Sequence, residues 1–242
     1  MKKNVILISL LILTSCNGSY ISKEEAFNYI NNSSSTLPID ANDSINAYKT
    51  TFKSSKNDDD LLTFTFEYDC INKTLSFEIS KFEEDKIREL QIHMYQEENY
   101  GYYFLNYEGK KEYMQCYSSY NSYIHDIYSF VNEYTVSFNE EILRSIYTDN
   151  YLGTYYLNND SLTLSLNATI DNAKISIDSE YKNYNLSYFK TTSKNEISLT
   201  REYTFNKINN VNKNTKLLNE YAFNSGYLKT IHEFMAGIDK DA

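Results

Sequence analysis

The chain has 242 residues, 41% apolar and 23% charged, the proportions of a globular protein of one or two domains. Six Gly and one Pro exclude collagen-like and Pro-rich chains. A net charge of −10 with no basic run argues against a nucleic-acid binder, which must neutralise phosphates, and against a polybasic membrane-surface binder. The 25 Tyr accompany abundant Asn, Lys and Ile, as AT-rich coding produces, so the position of a Tyr is informative and the number is not.

Residues 1–16 read MKKNVILISLLILTSC. Lys2 and Lys3 form a positive start, and Val5–Leu13 an apolar stretch too short to span a bilayer, which takes about 20 residues. Leu13-Thr14-Ser15-Cys16 then resembles the lipobox of bacterial lipoprotein precursors. The resemblance implies a signal peptide over 1–15, cleavage between Ser15 and Cys16, and a diacylglyceryl group on the Cys16 sulfur, often with an acyl chain such as palmitate on the new amino group. It further implies a place in the bacterial cell envelope, outside the cytoplasm, with the membrane as partner through the anchor. The alternative is an ordinary secretory signal with an incidental Cys16. Loss of Lys2 and Lys3 makes the mature chain two charges more acidic.

Residues 16–21 read as a lipidated tether. Ser22-Lys23-Glu24-Glu25 is a capping box that opens a short helix to about Ile30, with Phe27 and Ile30 on one side. Asn31–Thr36 is polar and ends it. From Tyr48 the apolar period is two, as in Leu62, Phe64, Phe66, Tyr68, Cys70. Six strands are expected, at 48–55, 61–70, 74–82, 87–96, 102–107 and 110–117, with turn-like breaks too short for parallel crossovers.

Over 119–147 the period becomes helical. Tyr120, Tyr123, Ile124, Ile127, Tyr128 and Val131 form one apolar stripe. A second capping box, Ser137–Glu140, predicts a separate helix with Phe138, Ile142, Leu143 and Ile146 inward. A short strand at 154–157 and four more up to Phe205 follow, with Asp171-Asn172 as a tight turn. The tail, 215–242, reads as helical. The fold class is α+β: a mainly antiparallel, strongly curved sheet over 22–214, covered by amphipathic helices. Two smaller domains divided near 148–153 are the alternative.

Cys70 and Cys116 remain once Cys16 carries lipid. Both close a strand on its apolar side, so they are a candidate disulfide or two buried thiols. His93, His125 and His232 are dispersed and read as surface residues. Neither they nor Asp58-Asp59-Asp60 have metal-ligand spacing, so no metal or cofactor is expected. No nucleophile elbow or Gly-rich phosphate loop appears, which favours a noncatalytic chain over a hydrolase. Arg201 stands on the apolar side of its strand, between Leu199 and Tyr203. It reads as an anchor for a headgroup or carboxylate at a pocket mouth, or as an Arg whose head snorkels to water. The tyrosines between Tyr95 and Tyr134 line a cleft or build a core.

The order of elements over 22–206 is similar to that of the lipoprotein-carrier family and its lipid-binding lipoprotein relatives. That resemblance implies a half-barrel with helices closing a lipid cavity. The expected function is a noncatalytic, membrane-anchored envelope lipoprotein that binds a hydrophobic ligand in a cleft between sheet and helices, with Arg201, Tyr123, Ile127 and Val131 as candidate cleft residues. The alternative is a surface module with a filled core that binds another protein.

Overall fold

The computed structural model describes residues 18–33, 47–83, 85–98, 100–117 and 120–211. Ser15, Cys16 and the C-terminal segment 215–242 lie outside the described residues. Twelve strands form one sheet: β1 (Gly18–Tyr20), β2 (Ala47–Lys56), β3 (Asp59–Asp69), β4 (Thr74–Glu83), β5 (Lys86–Glu97), β6 (Tyr100–Tyr107), β7 (Lys110–Tyr117), β8 (Leu152–Asn158), β9 (Ser161–Ile170), β10 (Ala173–Lys182), β11 (Asn185–Lys194) and β12 (Ser198–Ile208). Among the described residues the helices are α1 (Lys23–Asn31) and α2 (Tyr120–Tyr147).

The order β1-β8-β9-β10-β11-β12-β2-β3-β4-β5-β6-β7 leaves β1 and β7 as open edges. Every neighbouring pair is antiparallel. The two meanders are one sheet, because β12 pairs along its length with β2, from Leu199 opposite Lys56 to Ile208 opposite Ala47. That pairing joins the chain segments on either side of 148–153.

Hairpin chemistry sets the register. Asn57-Asp58, Glu108-Gly109, Asp171-Asn172 and Asn183-Tyr184 all have positive φ at both positions, as two-residue turns matching strand twist require. With so few glycines, Asn and Asp supply this conformation, which their short side chains tolerate. Asp69 holds the β3–β4 turn: its carboxylate accepts the Ile71 and Asn72 N–H groups at 3.1 and 2.8 Å and the Asn72 side-chain amide at 2.8 Å.

β1 replaces half of the expected tether. Gly18, Ser19 and Tyr20 pair with Asn158, Leu157 and Tyr156. The first capping box forms as expected: Ser22 Oγ accepts the Glu25 N–H at 3.2 Å, and Glu25 accepts the Ser22 N–H at 2.8 Å. The second does not form. α2 runs unbroken through Ser137, whose hydroxyl donates back to the Tyr134 carbonyl at 2.9 Å instead of capping a new helix. Apolar residues at Tyr134, Phe138, Ile142 and Ile146 continue the stripe across this point, so packing outweighs the local capping signal.

α2 joins one side of the sheet to the other, from β7 to β8, and crosses the strands on one face. Phe130 meets Phe64 and Phe77, Tyr134 meets Phe52 and Phe64, and Phe138 meets Phe52, Tyr203 and Phe189. These aromatics fill the space beneath the helix. Two buried polar contacts fix its position: the Tyr181 hydroxyl donates to Asn139 Oδ1 at 2.6 Å, and Tyr203 shares a hydrogen bond with Thr135 at 3.1 Å. Burial pushes both phenols well above their ordinary range, so they stay neutral.

A second aromatic cluster lies on the other face of β5–β7. Tyr95 stacks on Tyr102 at 4.9 Å, and His93 on Phe104 at 5.7 Å. His93 is thus not the surface residue its strand position suggests. Burial holds its pKa below 6.5, against the opposing pull of Glu78 and Glu67. The unfolded chain therefore binds the proton more readily. The His93 contribution is complete above pH 6.5 and is lost as pH falls toward the folded value. His93→Phe should remove this part of the pH dependence, flattening the difference in denaturant midpoint between about pH 7.5 and 5.5. An unchanged difference would reject the assignment.

A Cys70–Cys116 pairing would have to span the sheet from the end of β3 to β7. β4, β5 and β6 lie between β3 and β7, which puts four strand spacings, about 19 Å along the sheet, between the two positions. A disulfide needs Cα atoms within about 7 Å.

Candidate functional site

The core thins toward the strand ends at Lys56, Ile170, Lys194 and Ser198. On the helix-bearing face the row Leu164, Ser179, Phe189, Tyr203, Phe52, Phe64 is buried throughout. Two residues further along β11, β12 and β2 the row reads Thr191, Arg201, Ser54. Beyond that it reads Ser193 and Leu199, and Leu199 is 47% exposed. The apolar alternation gives way to hydroxyls and a charge, and the sheet and the C-terminal half of α2 no longer close on each other.

A cleft of about 770 Å³ opens there. Its helix wall is Ser137, Glu140, Glu141, Arg144 and Ser145. Its sheet wall includes Ser54, Thr191, Arg201 and Leu199, and Leu61 and Tyr151 complete the rim. Arg201 Nη2 donates to both Glu141 oxygens, at 2.8 and 2.9 Å. Both side chains keep about a third of their surface exposed, at 38% and 29%, so the pair adds little stability and mainly fixes where the guanidinium stands. A second, more open depression of about 450 Å³ continues along the same strand ends, floored by Ala168 and Ile175 and flanked by Leu152, which is 80% exposed.

Of the candidate cleft residues whose side chains are described, Arg201 lines this site and Ile127 and Val131 do not. Ile127 and Val131 are 1% and 0% exposed and belong to the filled core. Tyr123 lies in the first turns of α2, and its side chain is outside the described residues. Of the described tyrosines between Tyr95 and Tyr134, Tyr103 and Tyr134 are core, and Tyr95 stacks on the outer face. Glu141, Arg144 and Tyr151 escaped sequence reasoning, since nothing near them in the chain shows that they face Arg201. Among the described residues no group of three His, Cys, Asp or Glu is placed to hold a metal, and no helix is long and apolar enough to cross a membrane.

No protein-family model matches the chain, and no curated protein sequence matches it.

Proposed function

We propose that the chain is a noncatalytic lipoprotein of the bacterial cell envelope, anchored outside the cytoplasm through lipidated Cys16, that binds a small ligand in the cleft beside α2. The observation that carries the ligand reading is the cleft itself, with Arg201 fixed in its wall by Glu141. Leu61 and Leu199 offer apolar contact beside Arg144 and Arg201, which suits a molecule with an apolar body and a polar or anionic end. The carboxylates in the wall, Glu140 and Glu141, are neighbours on one helix rather than an opposed pair, which favours binding over hydrolysis. The half-barrel with a lipid cavity of the lipoprotein carriers is the architectural likeness on which the ligand reading draws. Here the space directly beneath α2 is aromatic, and the open volume lies at its side.

That aromatic fill favours a second reading, a protein-interaction or structural module that takes no ligand. A fluorescent fatty acid titrated against three proteins separates the two. The wild type should take up the probe. Leu199→Trp, which fills the cleft from a half-exposed position, should weaken uptake about tenfold, or about 1.4 kcal/mol, with an unchanged denaturant midpoint. Ile127→Trp should instead cost about 1–3 kcal/mol by overpacking the core. Wild type that takes up no probe leaves the interaction module standing.

A further inference from the structure

The sheet begins two residues after the proposed anchor. Gly18 is the first residue of β1 and pairs with Asn158, the last of β8. Covalent geometry then keeps the Cys16 Cα within about 7 Å of Gly18. The protein has no tether long enough to stand off the membrane, even though its acidity opposes contact with anionic headgroups.

β1 enters the sheet at one particular set of strand ends. Beside Gly18 are the β8–β9 turn at Asn159-Asp160 and, because Ser161 pairs with Lys182, the β10–β11 turn at Asn183-Tyr184. The cleft and the second depression lie at the opposite ends of the same strands. On β8 itself, Leu152 stands six residues from Asn158, about 20 Å further along.

The anchor-side ends also carry tyrosines in unusual settings. Tyr20 is 79% exposed and meets Tyr156 edge-on. Tyr184 occupies a left-handed turn position at φ 60°, costly for a bulky side chain where Asn or Gly would fit. Its ring stacks on Tyr29 at 4.4 Å and remains 46% exposed. Tyrosine, with an apolar ring and a polar tip, is suited to the headgroup layer of a bilayer.

We propose that the strand ends at Gly18, Asn159 and Tyr184 rest on the bilayer surface, with Tyr20 and Tyr184 at headgroup level, and that the cleft opens away from it. This rests on the lipid-anchor reading. It adds that the cleft exchanges its ligand with the aqueous space or a partner across it, and not directly with the leaflet that holds the anchor.

The chain contains no Trp, so single substitutions report their own depth. The lipidated full-length protein would be placed in vesicles of brominated phosphatidylcholine as Tyr20→Trp, Tyr184→Trp or Leu152→Trp, after mass spectrometry of the Cys16 peptide establishes the diacylglyceryl group. Tyr20→Trp and Tyr184→Trp should lose most of their emission, and Leu152→Trp should keep it. Ten Gly/Ser residues inserted between Asn17 and Gly18 should restore the emission of the first two. A lipidated protein with Leu152→Trp quenched as strongly, or with all three unquenched, overturns the orientation alone. A Cys16 peptide without lipid overturns the anchor reading and the orientation with it.

Discussion

Phe138→Ala should lower the unfolding free energy by about 3–5 kcal/mol, a large part of what a domain typically has. Phe138 is 1% exposed and sits where the two meanders join. Its ring stacks on Phe189 at 4.5 Å and contacts Phe52 at 5.7 Å and Tyr203 at 5.3 Å, thereby touching β11, β2 and β12 together. Truncation leaves a cavity whose walls cannot collapse independently, because the strands are held by their ladders and α2 by Asn139 and Thr135. Denaturant unfolding of both proteins is the measurement. A loss below about 1 kcal/mol would mean that Phe138 does not anchor α2 against the junction of the two meanders.

The strands were legible because each meander alternates apolar and polar residues over runs bounded by Asn, Asp or Gly, and neighbouring strands pair locally. Leu162, Leu164 and Leu166 are all buried where the period places them. Two features depended on distant parts of the chain. β12 closes against β2 across about 150 intervening positions, and no local signal announces that partner. β1 is three residues long, too short for any period to show, and forms only because the β8 edge is available to it.

The helical region shows two local rules in competition. Ser137–Glu140 has the spacing of a capping box, yet the stripe from Ile127 to Ile146 is continuous and every member meets the core. Burying that stripe outweighs a capping preference worth about 1 kcal/mol. The same stripe explains why Ile127 and Val131 do not line the cleft: strong amphipathicity marks the side of a helix that is filled.

Arg201 was legible for the opposite reason, since it breaks the apolar alternation of its strand. Its significance needed Glu141, sixty positions away in sequence and on another element. Thr191 and Ser193 on β11 carried a weaker form of the same signal, hydroxyls on the helix-bearing face where the core ends.

Cys16→Ala should abolish lipid attachment and move the protein from the membrane to the soluble fraction. The reading rests on the order Lys2-Lys3, an apolar stretch too short to span, then Leu13-Thr14-Ser15-Cys16. Each buried methylene of an acyl chain contributes about 0.8 kcal/mol, so one chain holds a protein only marginally and two or three hold it durably. Nothing else is expected to retain the variant. The net charge is −10, which disfavours anionic headgroups, and no described helix is suited to crossing a bilayer. The tyrosines at the anchor-side strand ends do not replace acyl chains, since an aromatic at the headgroup layer orients a protein that is already held there. Fractionation after high-salt and carbonate washing is the measurement, with wild type retained and the variant released. A variant that stays with the membrane through both washes would show that something other than Cys16 holds the protein, and the lipoprotein reading would fail.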